Sequence, residues 1–144
     1  MVRRGRMIRS LNMFWVTGIL AVVFLSAGTG KAASGPGAKL FSGRAPLKGH
    51  VEGHTESMPT LSTACIGCHN STKPLGPVLT NQSLTGAVPR RGGPASTYDG
   101  ASFCRVLRTG IDPSFILLRK EMPRYQISDG QCTSLWRFLT HDGK

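Results

Sequence analysis

The chain has 144 residues, a length for one domain, with 18 Lys and Arg against 7 Asp and Glu, a net charge of +11. Five of the basic residues (Arg3, Arg4, Arg6, Arg9 and Lys31) precede residue 33, and the other 13 leave the remainder at +6. That excess favours acidic protein surfaces. With no basic stripe and no reader motif it does not describe a nucleic-acid-binding protein.

The N-terminus reads as a secretory signal peptide over residues 1–32. Four arginines form its basic start, residues 13–27 (MFWVTGILAVVFLSA) its apolar stretch, and Gly30, Lys31 and Ala32 a small-x-small cleavage site. The apolar run is shorter than the roughly 20 residues of a membrane-spanning helix. Cleavage is therefore expected over an uncleaved anchor, with no stable membrane insertion afterwards.

Residues 33–40 (ASGPGAKL) read as a flexible leader, and residues 41–60 as loop with an extended piece at 47–51. The whole of 33–58 is expected to be irregular. A short helix, from about Pro59 to His69, leads into Cys65, Ile66, Gly67, Cys68 and His69.

These five residues spell C-x-x-C-H, the attachment pattern of a c-type haem. Two thiols three positions apart match the two vinyl groups of one porphyrin. The next residue, His69, is then held under the iron as an axial ligand. A thioredoxin-like dithiol would need a β-α-β setting that is not seen here. Zinc would need two further ligands, for which Cys104, Cys132 and His141 are the available residues.

Residues 70–97, rich in Gly, Pro, Ser and Thr, read as a long ordered loop without a core of its own. Two helices follow. Asp99 is a good N-cap and Gly110 a good C-terminal stop, with Phe103, Val106 and Leu107 on one face. Ser128 and Gln131 form a capping box that opens a second helix. Its apolar stripe is Cys132, Leu135, Trp136 and Leu139, ending near Thr140. The oxidising compartment implied by export permits disulfides. With Cys65 and Cys68 given to haem, Cys104 and Cys132 remain, both on or beside faces that pack together. A disulfide between them is expected over two buried thiols, and it would hold the loop that contains Met122.

A second axial ligand is available from Met58, Met122, His50, His54 or His141. Met122 is preferred, because Pro123 biases it toward an extended conformation that presents a thioether from a loop. His50 and His54 are the alternatives. His50, Glu52 and His54 lack the spacing of a zinc-protease motif and read as solvated loop. Arg119 and Lys120 suit the steering of an acidic partner. Arg108, Arg124 and Tyr125 are candidates for haem propionates.

Residues 107–113 (LRTGIDP), then Met122, Pro123, Arg124 and Tyr125, then an amphipathic C-terminal helix with Trp136 complete a pattern. With the haem motif, it resembles the bacterial class I monohaem cytochromes c over roughly residues 59–141. The resemblance implies a mainly α, small class I cytochrome c fold with short helices and long loops, over residues 59–144. It implies one covalent haem c on Cys65 and Cys68, with His69 as proximal and Met122 as distal iron ligand. Gly76 and Pro77 fall where, in that family, a carbonyl orients the proximal His. The family's N-terminal helix, which packs on the C-terminal one, is not legible in residues 38–58. The function implied is periplasmic electron transfer between Fe(III) and Fe(II), with redox protein partners and no enzymatic activity. A dedicated haem subunit of a periplasmic dehydrogenase and a haem-based gas or redox sensor are the alternatives.

Overall fold

Two helices take their boundaries from local sequence. Helix α4, Gly100–Thr109, starts where the Asp99 carboxylate accepts the Ser102 N–H at 2.7 Å and the Asp99 N–H donates to Ser102 Oγ at 2.9 Å. The bonds from Ser102 hold the Asp99 carboxyl below its usual pKa. It stops at Gly110, which takes φ +73°. Helix α5, Asp129–Arg137, has the corresponding box between Ser128 and Gln131, then widens into a π-helical turn over Phe138–Asp142. The predicted apolar faces are the buried ones: Phe103, Val106 and Leu107 on α4, and Cys132, Leu135 and Leu139 on and after α5, while Trp136 is half-buried. Burial of each of the larger side chains contributes about 1.5–3 kcal/mol.

The computed structural model describes residues 35–70, 72 and 74–142. They form one compact unit. The expected signal peptide, residues 1–32, lies outside the described residues. In chain order the remaining elements are α1 (Pro36–Phe41), β1 (Lys48–His50), a 3-10 turn (Thr60–Thr63), α2 (Cys65–Cys68), α3 (Asn81–Thr85), β2 (Val88–Pro89), β3 (Ala95–Ser96) and β4 (Arg124–Gln126). Among the described residues helix predominates over strand, and no helix is long and apolar enough to cross a membrane.

Helix α1 corrects the reading of 33–58 as irregular. Six residues are too few to form a helix unaided, and Gly35, Pro36 and Gly37 look like linker. The helix exists because it packs on α5, burying Gly37, Ala38 and Leu40. Phe41 meets Phe138 with ring centroids 5.6 Å apart. The two helices approach closely at Gly37, where a Cβ would strike the Ser134 carbonyl oxygen and lie 2.6 Å from the Phe138 Cβ. Gly37→Ala is expected to cost about 1–3 kcal/mol by overpacking, read as a fall in the urea midpoint. An unchanged midpoint would mean that the crossing is looser than described.

The extended piece expected at 47–51 is β1. Its partner was not legible: β1 pairs antiparallel with β4, setting Gly49 opposite Tyr125 and His50 opposite Arg124. The long loop expected over 70–97 also contains more order than predicted. Helix α3 is capped by Thr80 and Ser83, and β2 and β3 form a short hairpin. Leu84 is buried. The Arg90 guanidinium supplies the centre, donating to the carbonyl oxygens of Ser83 (2.7 Å), Leu84 (3.2 Å) and Ser96 and lying over the Tyr98 ring. The single helix expected from Pro59 to His69 is instead the 3-10 turn and α2, separated by Ala64 in an extended conformation.

Helix α5 is the hub, contacting α1, α4 and the turn that follows it. A disulfide joins Cys104 on α4 to Cys132 on α5, as the sequence suggested.

Candidate functional site

The C-x-x-C-H segment forms α2 and its C-cap. It is fixed from below by a chain of hydrogen bonds through Thr63, which is buried just before it. Thr63 Oγ1 donates to the Leu47 carbonyl oxygen at 2.9 Å, and the Tyr125 hydroxyl donates to the Thr63 carbonyl oxygen at 3.1 Å. The segment before β1, the entry to the motif and β4 are thus tied together. Cys65 is 6 % exposed and belongs to the same core cluster as Tyr125. Burial pushes its thiol up to about 11, opposed by smaller hydrogen-bond effects. Burial likewise pushes the Tyr125 phenol well above its usual range. Cys68 is half-buried, and neither thiol is in a disulfide.

A thiol held neutral at physiological pH is a poor nucleophile.

His69 is buried, and its Nδ1 lies 2.7 Å from the Pro77 carbonyl oxygen. A carbonyl only accepts, so Nδ1 carries the proton and Nε2 keeps its lone pair for a metal. This is the outer-shell bond that fixes tautomer and orientation in metal-bound histidines. Gly76 makes the approach possible: a Cβ there would sit 2.7 Å from the imidazole Cε1 and 3.0 Å from Nδ1. The loop is turned back by the N–H groups of Leu75 and Gly76, which both donate to the Cys68 carbonyl oxygen, at 2.9 and 3.0 Å. The ring lines a mainly apolar cleft of about 260 Å³ shared with Phe41, Ile66, Asn70, Val78, Leu79, Phe138 and Leu139. Gly76→Ala is expected to push the imidazole off the Pro77 carbonyl, lowering the melting temperature and shifting the reduction potential of any iron bound there. A potential within error of wild type would show that the bond does not tune the site.

Met122 is half-buried in the turn before β4 and packs against the core that includes Cys65 and Tyr125. It does not line the cleft beside His69. Its N–H donates to the Arg119 carbonyl oxygen at 3.1 Å. Arg119 and Lys120 are exposed on the same turn. Met58 is also half-buried, its N–H bonded to the Gly49 carbonyl oxygen at 2.8 Å. His50 lies in the β1–β4 ladder, while His54 and His141 are exposed.

The three residues considered for propionates are engaged within the protein. Arg108 donates to the Ile127 carbonyl oxygen and to Asp129, Tyr125 to Thr63, and Arg124 to Glu52, Met122 and Leu118. The disulfide removes Cys104 and Cys132 from any zinc site. Among the described residues no three His, Cys, Asp or Glu side chains gather as a metal cluster.

The donor set therefore fits a c-type haem: two unpaired thiols on one helical turn, an imidazole with its Nε2 free, and apolar walls around it. Sequence reasoning placed the thiols, the imidazole and the Gly76–Pro77 carbonyl. It missed the support of Thr63 and Tyr125 and the pairing of Glu52 with Arg124, because bonds between residues 62 and 72 positions apart leave no local pattern. No family model, no curated protein and no solved structure matches this chain.

Proposed function

We propose that this chain is an exported electron-transfer protein with a single covalent haem c, of the class I monohaem cytochrome type. The observation that carries the reading is His69, directly after the two unpaired cysteines, with Nδ1–H committed to the Pro77 carbonyl and Nε2 left to face a metal. The packing of α1 on α5 supports it too, since that helix pair is what the family resemblance calls for. When bound, the haem supplies one-electron Fe(III)/Fe(II) chemistry.

The chain's own residues would do the rest. Cys65 and Cys68 tether the group, so that it is not lost in either oxidation state. His69 would ligate the iron through Nε2, its ring held by the Pro77 carbonyl, and Met122 would supply a thioether ligand, which favours the reduced state relative to a second imidazole. Leu79, Phe138 and Leu139 keep water from the His69 side. Arg119 and Lys120 flank the Met122 turn and offer positive charge to an acidic redox partner, an attraction that salt would weaken.

The test is to express the full chain in a host with a haem c attachment system. The purified protein is then subjected to intact-mass analysis and to absorption spectroscopy, oxidised and reduced. One haem retained after denaturation in acid, with a c-type reduced spectrum, is the expected result. A mass without haem, or haem that extracts into organic solvent, would end the proposal.

A further inference from the structure

Resting on the cytochrome reading, we propose that the buried Arg124, paired with Glu52, is a positioning residue that sets the Met122 loop for its role as iron ligand. Arg124 is 2 % exposed, an unusual place for a guanidinium. Its guanidinium reaches three acceptors from different parts of the chain. Nε donates to Glu52 Oε2 at 2.8 Å, one terminal nitrogen to the Met122 carbonyl oxygen at 2.6 Å, and the other to the Leu118 carbonyl oxygen at 3.2 Å. Both ends of the 118–122 turn are thereby fastened to one rigid planar group.

The backbone makes room for this group. Gly110 ends α4 with φ +73°, and a Cβ there would strike the Arg124 guanidinium. Below it, Arg124 stands opposite His50 in the β1–β4 ladder, and Glu52 follows β1 by two residues. The carboxylate therefore comes from a segment already paired with the strand that carries the arginine. The turn at Gly53, with φ +80°, continues the chain beyond it.

Energetics argue for a role in conformation. Desolvating a guanidinium is costly, and here only the cation is buried, since the Glu52 side chain is 46 % exposed. What such a pair supplies is geometry: leaving the cation unpaired is far worse than keeping the arrangement. A turn held by its first and last carbonyls presents Met122 in one place. The other ion pair among the described residues, Arg108 with Asp129, differs at the cation: Arg108 is 39 % exposed and its acid 93 %, and surface pairs of that kind contribute little.

The test uses the haem-loaded protein and three variants: Arg124→Lys, Glu52→Gln and, as control, Asp129→Asn. Three quantities are read: the weak long-wavelength sulfur-to-iron band of the oxidised protein, the affinity of the reduced protein for carbon monoxide, and the urea midpoint. Lysine keeps the charge but lacks the planar fork that spans these separated acceptors. Arg124→Lys is expected to weaken the band and to raise carbon monoxide affinity by roughly tenfold or more. Glu52→Gln should move both in the same direction, and Asp129→Asn should leave them unchanged. If Arg124→Lys does not fold, Glu52→Gln decides. A lower urea midpoint with band and affinity at wild-type values would overturn the proposal, making Arg124 a fold residue only. A wild-type protein that carries haem but lacks the sulfur band would remove the Met122 assignment and the clamp together, a result distinct from failure of the clamp alone.

Discussion

Met122→Ala is expected to abolish the sulfur-to-iron band of the oxidised protein, lower the reduction potential and open the iron to small ligands. The argument begins with the turn. Pro123 keeps Met122 out of helix, and the Arg119 and Arg124 bonds hold its N–H and carbonyl. The side chain, half-buried, packs against the core that includes Cys65. If the thioether occupies the iron, an incoming ligand binds only the fraction of molecules in which it has let go. Minor states of this kind are commonly 0.1–10 % populated, so removing the thioether should raise carbon monoxide affinity by roughly 10- to 1,000-fold. The fold should survive, because Met122 is half-buried and sits at the edge of the core. An unchanged band and potential in Met122→Ala would transfer the role to another residue. Met58 and His50 are the half-buried alternatives, and Met58→Ala and His50→Ala would then separate them.

How far the sequence reveals the molecule depends on the range of the interactions involved. Capping boxes, stop glycines and helical stripes are local, and α4 and α5 were legible to the residue at their N-caps. The C-x-x-C-H spacing is local as well. The Gly76–Pro77 carbonyl was placed by family resemblance rather than by any rule of spacing. Helix α1 was not legible, because PGAKLF shows no helical period and gains its stability from α5, about a hundred positions later. The β1–β4 pairing, the Thr63–Tyr125 bond and the Glu52–Arg124 pair share this difficulty. By local sequence Glu52 reads as a solvated residue between two histidines, and Arg124 as a propionate candidate. Each made sense alone, and only the folded chain shows that they face one another. The order within residues 81–96 was hidden differently: an arginine, Arg90, stands where a hydrophobic residue would have announced a core.

The Cys104–Cys132 disulfide leads to a prediction that separates stability from site geometry. It closes a loop across a sequence separation of 28, and the chain-entropy estimate for that length is roughly 3–4 kcal/mol. The double variant Cys104→Ala, Cys132→Ala should accordingly melt on the order of 10–20 °C lower. Cys132 is fully buried, so alanine is preferred to serine, which would add a hydroxyl requiring a partner. Most of the loss falls on the unfolded chain, which gains freedom, rather than on the folded one. In the native state α4 and α5 remain apposed through Phe103, Leu107 and Leu135, and the Met122 turn remains tied to Arg124. The sulfur-to-iron band and the carbon monoxide affinity at 25 °C should therefore stay close to wild type in the double variant, unlike in Arg124→Lys. Titration of thiols in the denatured, unreduced wild-type protein provides the check on the bond itself: none are expected when haem occupies Cys65 and Cys68, and two would show that Cys104 and Cys132 are free. A double variant that melts at the wild-type temperature would mean that the loop is already restrained without the bond. One that loses the band while folded would mean that the disulfide, and not the arginine, sets the ligand turn.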